Sequence, residues 1–468
     1  MAAEDTPLLV NDAQKQHELV YDRFSSRMKH AIVAMVSICG LMPLLVTGTF
    51  TPSIPRIAKD LNTTGPMVNL AVSLSAFAAS LGGLIGGSYS TFYGRRYTYT
   101  YSLPVMVIGS IGSATAPTIY WLLFWRFLQS LGASPGMVLG AGVIGDIYKL
   151  EERGRGMAMF LAAILLGPTL APLVGGLGAA HWSSGWRTVQ AVLGLAGAII
   201  FFIVYFFFPE TSHPGTRGID KLRVDHSSNA PVGFVFINPL RPMLLLRSPN
   251  LLLISVILST SLMSVFVLLV PLAYTIGARY NISNEALVGA CFTPAGLGNI
   301  TGAAIVGRIS DRTVISWRKR RGGVWYPEDR LRAALLPYAL IIPITLVIFG
   351  LANQFIDGKL GLSICLICLY VNGIGIEMAF GPCAAYLVDV LHSRSAEALA
   401  ANGGLRLVLM AAGISAVLPT INKLGVAATN AIVAGLAWLG LGLLWSVINY
   451  GDKMRAWVDV GYSNVDNN

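Results

Sequence analysis

Gly307-Arg308-Ile309-Ser310-Asp311-Arg312, followed by Arg318-Lys319-Arg320-Arg321, repeats in looser form an earlier stretch, Gly87-Ser88-Tyr89-Ser90-Thr91-Phe92-Tyr93-Gly94-Arg95-Arg96. Each copy follows an apolar run of spanning length, and each run is second in a series of six. A polar segment that recurs at matching places of two halves implies a duplicated membrane domain. Duplicated helical bundles of that kind carry solutes rather than catalyse covalent chemistry. Both copies read as loops on the same side of the membrane, so the halves are parallel repeats.

The chain around them fits. Of 468 residues, 54% are hydrophobic and only 12% charged, with a mean hydropathy of +0.64. A soluble chain carries about 25% charged residues. A spanning helix takes about 20 apolar residues, and backbone groups in lipid must be paired within the segment. Helices are therefore expected at 31–51, 67–87, 98–116, 119–145, 156–179, 188–208, 250–274, 286–307, 333–352, 361–385, 398–420 and 426–449. The expected fold is an all-α membrane protein with twelve transmembrane helices in two parallel six-helix repeats. Residues 1–29 form a cytoplasmic tail, 30–208 the first bundle, 209–249 a cytoplasmic linker, 250–450 the second bundle and 451–468 a second tail. The linker opens on Pro209-Glu210-Thr211-Ser212 and carries Phe236, Leu240, Met243 and Leu245 beside Arg241 and Arg247. Part of it reads as an amphipathic segment on the membrane surface.

The net charge of +10 does not point to nucleic acid. With both termini cytoplasmic, only Arg56, Lys59, Arg187, Arg279, Lys359 and Lys423 fall outside, and Arg126 and Arg406 fall within helices. Every other lysine and arginine lies inside, which fixes the orientation. The sequons at Asn62 and Asn281 fall on outer loops and are glycosylation candidates. The polar first 29 residues hold no cleavable signal, so the first helix is expected to direct insertion. The five cysteines, Cys365-x-x-Cys368 included, lie in expected helices and read as packing residues.

The repeat extends further. Helix four ends at Asp146 with Arg153 shortly after, and helix ten ends at Asp389 with Arg394 shortly after. Both aspartates read as gate residues linked to those arginines.

Four motifs in chain order resemble the major facilitator superfamily, specifically fungal twelve-helix drug:proton antiporters, over about residues 27–455. The opening stretch resembles G-x-x-x-D-x-x-G-R-R. Arg126-Phe127-Leu128-Gln129-Ser130-Leu131-Gly132 resembles R-x-x-Q-G-x-G. Gly167-Pro168-Thr169-Leu170-Ala171-Pro172-Leu173-Val174-Gly175-Gly176 resembles the antiporter motif of helix five. Pro209-Glu210-Thr211 resembles the P-E-T after helix six. The block from Arg320 to Arg332 looks specifically fungal. Thr91 stands where the family usually has aspartate, Ser130 and Ala171 where it has glycine.

The resemblance implies alternating access, with two bundles rocking about a central site. Thr91, Gly94, Arg95, Asp311 and Arg312 then act as latches. Asp311 is expected to sit at the amino end of a helix in the opposite half, where the dipole favours an anion. Because Thr91 has lost the charge, the latch leans on the second copy. In helix five, Gly167, Gly175 and Gly176 admit a close backbone, and Pro168 and Pro172 loosen the helix. In the family this motif marks exporters.

Ionisable groups deep in spans are rare and functional by default. Arg126, with Gln129 on its face, resembles the family arginine linked to proton coupling. Glu377 in helix ten is the first candidate proton carrier. Arg406, with Asn402 one turn earlier, lies at similar depth, so Glu377 and Arg406 read equally as an ion pair. Ser259, Ser261, Ser264, Tyr370 and Asn372 are expected among the polar lining of the cavity. Two arginines against one glutamate favour a neutral or anionic solute, such as an organic acid of the itaconate kind, a secondary metabolite or a drug.

The reading is a proton-coupled exporter of a small organic solute. Its partners are that solute, protons and the bilayer; no cofactor, metal or nucleic acid is called for, and a monomer is expected. An uptake symporter of the same fold is the first alternative, a polytopic membrane enzyme the second. Against the enzyme, the six histidines are scattered and no phosphate-binding glycine loop appears. The cell membrane is the expected location. Glu4 with Leu8 and Leu9 fits an acidic-dileucine signal, which offers the vacuolar membrane as the alternative.

Overall fold

The computed structural model describes residues 21, 23–149, 152–181, 185–225, 235–280, 282, 284–324, 326–391 and 395–458. Among them run twelve long helices: α1 (Ser26–Gly48), α2 (Gly65–Tyr93), α3 (Arg95–Thr115), α4 (Ile119–Ile147), α5 (Arg153–His181), α6 (Trp186–Phe207), α7 (Pro249–Arg279), α8 (Thr293–Arg320), α9 (Ile342–Phe355), α10 (Gly358–Val390), α11 (Ser395–Leu424) and α12 (Val426–Trp457). No strand occurs among the described residues. Ten of the helical segments are long and apolar enough to cross a membrane. α3 and α8 are not among them: Ser, Thr, Tyr and Gly run through α3, and α8 is rich in Gly and Thr and ends in a basic run. Packing supplies what their hydropathy lacks, since α3 lies on α4 and α6 and α8 lies on α10.

Each half closes on its own core. Val36, Met42, Met106, Val143, Phe160 and Leu193 fill the first bundle. Ile254, Leu268, Tyr338, Phe349, Tyr386 and Leu444 fill the second. A third cluster joins Phe50, Ile54, Val72 and Trp186 of the first half to Met410 and Ile414 of α11, at the end remote from the termini.

The repeated stretch is not a loop in either copy. α2 stays helical to Tyr93 and turns only at Gly94, and α8 runs to Arg320, thirteen residues past its expected end at Gly307. Residues 308–320 contain no proline or glycine, the stop comes at Gly322-Gly323, and the basic run suits a helix carboxyl end. α4 is interrupted at Ser134, ahead of Pro135. A short helix, Glu285–Ala290, precedes α8, and α9 is approached through a 3₁₀ segment, Pro327–Ala334, and a π turn, Pro337–Ile341.

The linker holds a short helix, Gly218–Asp225, and a 3₁₀ segment, Arg241–Arg247. Leu245 of the latter enters the second core while Leu240 and Leu244 are exposed, so the segment is two-faced. Asn62 is exposed in the turn before α2, at the end remote from the termini. Asn281, Arg394 and the Glu4-Leu8-Leu9 pattern lie outside the described residues.

The bundles meet from mid-depth to the remote end. On α2, Asn69 Nδ2 donates to the Ile414 carbonyl at 2.6 Å, Ser73 Oγ to that of Ala411, and Ser80 Oγ to that of Gly404 at 2.8 Å. α5 packs on α8 and on Glu285–Ala290 at the same depth, through Thr169, Pro172 and Gly176. Toward the termini, nothing lies within 4 Å of a Cβ built on Gly154 of α5 or on Gly307 of α8. The contacts that join the two bundles thus gather from mid-depth to the remote end.

Candidate functional site

In the first bundle the polar centre is a sealed network. Arg126 is 0% exposed; its Nη1 donates to the Val46 carbonyl of α1 at 3.0 Å and to Gln129 Oε1 at 2.7 Å. Gln129 Nε2 donates to Ser110 Oγ of α3 and to Gln190 Oε1 of α6, both at 2.9 Å. The guanidinium lies 4.4 Å from the Phe50 ring, and its Nε and Nη2 have no hydrogen-bond partner among the described residues. Four helices are thus tied through one arginine and one glutamine. Ser110 and Gln190 were not singled out in the sequence, because neither belongs to a motif; their i-to-j links exist only in three dimensions.

At the terminus side, Asp146 at the end of α4 takes Arg95 Nε at 2.9 Å. The pair ties the end of α4 to the start of α3; the side chain of Arg153, the expected partner, lies outside what the structure describes. Arg95 Nη1 also donates to Ser90 Oγ at 2.9 Å. Thr91 donates to its own helix, to the Gly87 carbonyl at 3.1 Å. The Glu210 carboxylate accepts from the backbone N–H groups of Arg95 (2.9 Å) and Arg96 (3.2 Å). It thereby satisfies two of the orphan donors of α3 and sits where the helix dipole favours an anion. Gly94 makes this fit possible. Its φ is +112°, and a Cβ there would lie 2.3 Å from Glu210 Oε2.

The second bundle repeats the pair. Arg330, just before α9, donates from Nε to Asp389 at 2.8 Å, and its Nη1 lies 3.5 Å from Asp311. Asp311 is 70% exposed within α8 and its partner belongs to its own half. Among the described residues no hydrogen bond or ion pair joins it to a helix of the opposite half. Around this pair, Asp329 binds Arg321 at 2.9 Å and Arg332 at 3.3 Å, and Arg332 lies 3.8 Å from the Trp317 ring. Glu328 binds Arg455 of α12 and accepts from Tyr386 Oη.

Deep in α10, Glu377 is half-buried with its Cβ against Gly302 of α8. Arg406 of α11 is the charge that acts on it and stacks 5.0 Å from the Phe380 ring. No ion pair within 4.0 Å joins the two among the described residues. Arg406 Nε and Asn402 Oδ1 are buried without a hydrogen-bond partner. Ser264 and Asn372, expected to line a cavity, are instead buried and paired: Ser264 Oγ donates to Asn372 Oδ1 at 3.0 Å, and Asn372 Nδ2 to Thr345 Oγ1 of α9 at 2.9 Å.

A sequence model described as Major Facilitator Superfamily matches residues 36–414. The chain belongs to the major facilitator superfamily. It is 27% identical to the efflux pump radE of Floropilus chiversii, over 91% of this chain and 80% of that one. It is 25% identical to the multidrug transporter AQR1 of Candida glabrata, over 95% and 80%. It is 27% identical to the MFS-type transporter penM of Penicillium rubens, over 92% and 86%. Among solved structures it is similar to a bacterial homolog of the human lysosomal transporter Spinster, with a TM-score of 0.65 at 13% identity over 93% and 100% of the two chains. It is also similar to the xylose transporter XylE from E. coli, with a TM-score of 0.64 at 16% identity over 90% and 98%. This superfamily member is therefore a multi-pass membrane transporter and not an enzyme.

Its helix-five motif lies where the transporter's bundles touch. Ala171 meets Gly48 of α1, Gly175 receives the Thr49 carbonyl, and Pro172 and Gly176 meet Gly289 across the bundle interface. A Cβ on Gly175 would stand 2.4 Å from that carbonyl. Gly167 packs on Leu44, and Pro168 lies in the same helix.

Proposed function

We propose that this transporter exports a small organic solute in exchange for protons by alternating access, with Glu377 as the proton carrier. The supporting observation is the half-buried Glu377, one helical turn from Phe380, on whose ring Arg406 stacks at 5.0 Å, with no direct ion pair between the two charges among the described residues. A carboxyl at that depth can take and release a proton as the site changes sides, and a nearby arginine makes the exchange sensitive to a second anion. Substrate and proton then compete for one charge. Arg126 and Arg406 against Glu377 leave the spans with more cation than anion, which favours a neutral or anionic solute: an organic acid, a secondary metabolite or a drug.

Export is supported by the names of the relatives, an efflux pump and a multidrug transporter, and by the helix-five motif at the bundle interface. The positive-inside asymmetry supports an orientation with both termini in the cytoplasm, in which the terminus side faces the cell interior and its cargo. Asp311 acts as a latch in the opposite conformation, when the terminus-side ends close. Proteoliposomes with an imposed pH gradient test the carrier. Glu377→Gln should abolish gradient-driven movement of a transported solute while normal expression and insertion persist; gradient-driven transport by the variant would remove Glu377 from the mechanism. Extracellular metabolite profiling of a deletion strain names the cargo.

A further inference from the structure

We propose that the terminus-side extension of α8 holds an anionic phospholipid by its phosphate. The thirteen residues past Gly307 project about 20 Å at 1.5 Å per residue, and they carry Arg308, Arg312, Arg318, Lys319 and Arg320. The cations near this end sort into two groups. Arg321, Arg330, Arg332 and Arg455 each have a carboxylate partner. Arg308, Arg312, Lys319 and Arg320 are exposed and have none among the described residues.

A helix carboxyl end favours cations only within its last turn. That accounts for Lys319 and Arg320 and leaves Arg308 and Arg312, like charges at i,i+4 spacing, while the Asp311 carboxylate between them lies against Arg330. The shape supplies a place for an anion. Ile309, Arg312, Thr313, Ser316, Trp317 and Arg320 line a shallow groove along the helix. Two guanidiniums and the Ser316 hydroxyl can donate to phosphate oxygens there, and arginine suits phosphate through its paired N–H groups.

Continuity decides between a lipid and a soluble acidic partner. Leu297 and Ile305 are exposed on the apolar stretch of α8, and Arg308, Arg312 and Lys319 continue their face at helical spacing. Ile305 is about 10 Å from Arg312 along the axis. An acyl chain can therefore follow the apolar strip while its headgroup reaches the arginines. A soluble protein would leave the strip unused. The inference is independent of transport direction and of Glu377.

The test uses the full-length protein in detergent, with equal amounts of phosphatidylserine and phosphatidylcholine, and native mass spectrometry to count retained lipid. The native chain should retain phosphatidylserine preferentially. Arg312→Gln with Arg320→Gln should lower that preference about fivefold per arginine, and Arg312→Lys with Arg320→Lys should keep most of it. Ser316→Asp, which places an anion in the groove and leaves every arginine intact, should lower it as well and carries the test if the double variant does not fold. Equal retention by native and variant chains would overturn the proposal. So would displacement of the lipid from the native chain by an acidic peptide, which would assign the face to a protein partner.

Discussion

Gly94 shows how much one residue can decide. It stops α2, starts α3 and leaves room for the Glu210 carboxylate on the first N–H groups of α3. Gly94→Ala adds a left-handed backbone strain and a steric conflict, together about 1–3 kcal/mol. The variant should unfold at a lower temperature in a thermal-shift measurement, and Glu210→Gln, which weakens only the cap, should lower it less. An equal or smaller drop for Gly94→Ala would separate the glycine from the cap. The two motif acids of the second half should also differ. Asp389 is closely held by Arg330, whereas Asp311 is mostly in water, where such a contact contributes about 0–1 kcal/mol. Asp389→Asn should therefore cost thermal stability and Asp311→Asn should leave it unchanged while slowing transport. A stability loss from Asp311→Asn would make it a structural residue rather than a latch. The sequence made Asp146 and Asp389 legible as a matched pair but did not point to Arg95 or Arg330 as partners. Arg153 is near Asp146 in sequence, while Arg95 reaches it only because α3 packs along α4. Spacing cannot carry that information.

At the scale of elements, the existence and order of twelve helices were legible because lipid leaves the backbone no alternative. Their ends were not. Hydropathy marks where a helix leaves the apolar layer, and α8 continues as a helix well beyond that point. Side-chain pairings within helices were also hidden: Ser264 and Asn372 form a buried chain of hydrogen bonds between α7, α10 and α9. The contact between α2 and α11 yields a prediction of its own. Three α2 side chains donate to α11 carbonyls, and each net hydrogen bond is worth about 1 kcal/mol. Ser73→Ala should shift the balance toward an opened remote end by roughly fivefold. Distance labels on the remote ends of α2 and α11 would read this as a larger long-distance fraction. An unchanged distribution would mean that apolar packing alone holds the closure.

At the scale of the whole molecule, two bundles share one remote-end cluster, and their polar contacts run from mid-depth to that end. This arrangement suits a transporter that takes cargo from the terminus side, the side that the proposed orientation places in the cytoplasm. The sequence carried the duplication, the family and the orientation argument. It could not carry which conformation the chain adopts, because closure depends on contacts between residues more than 300 positions apart, such as Asn69 with Ile414. The account stands on export driven by protons. Its most direct test is cellular content of a transported solute in cells with and without this protein, before and after an uncoupler collapses the proton gradient. Export predicts lower content in cells that carry the protein and a rise to the control level with the uncoupler. Higher content that falls with the uncoupler would contradict it and identify an uptake symporter.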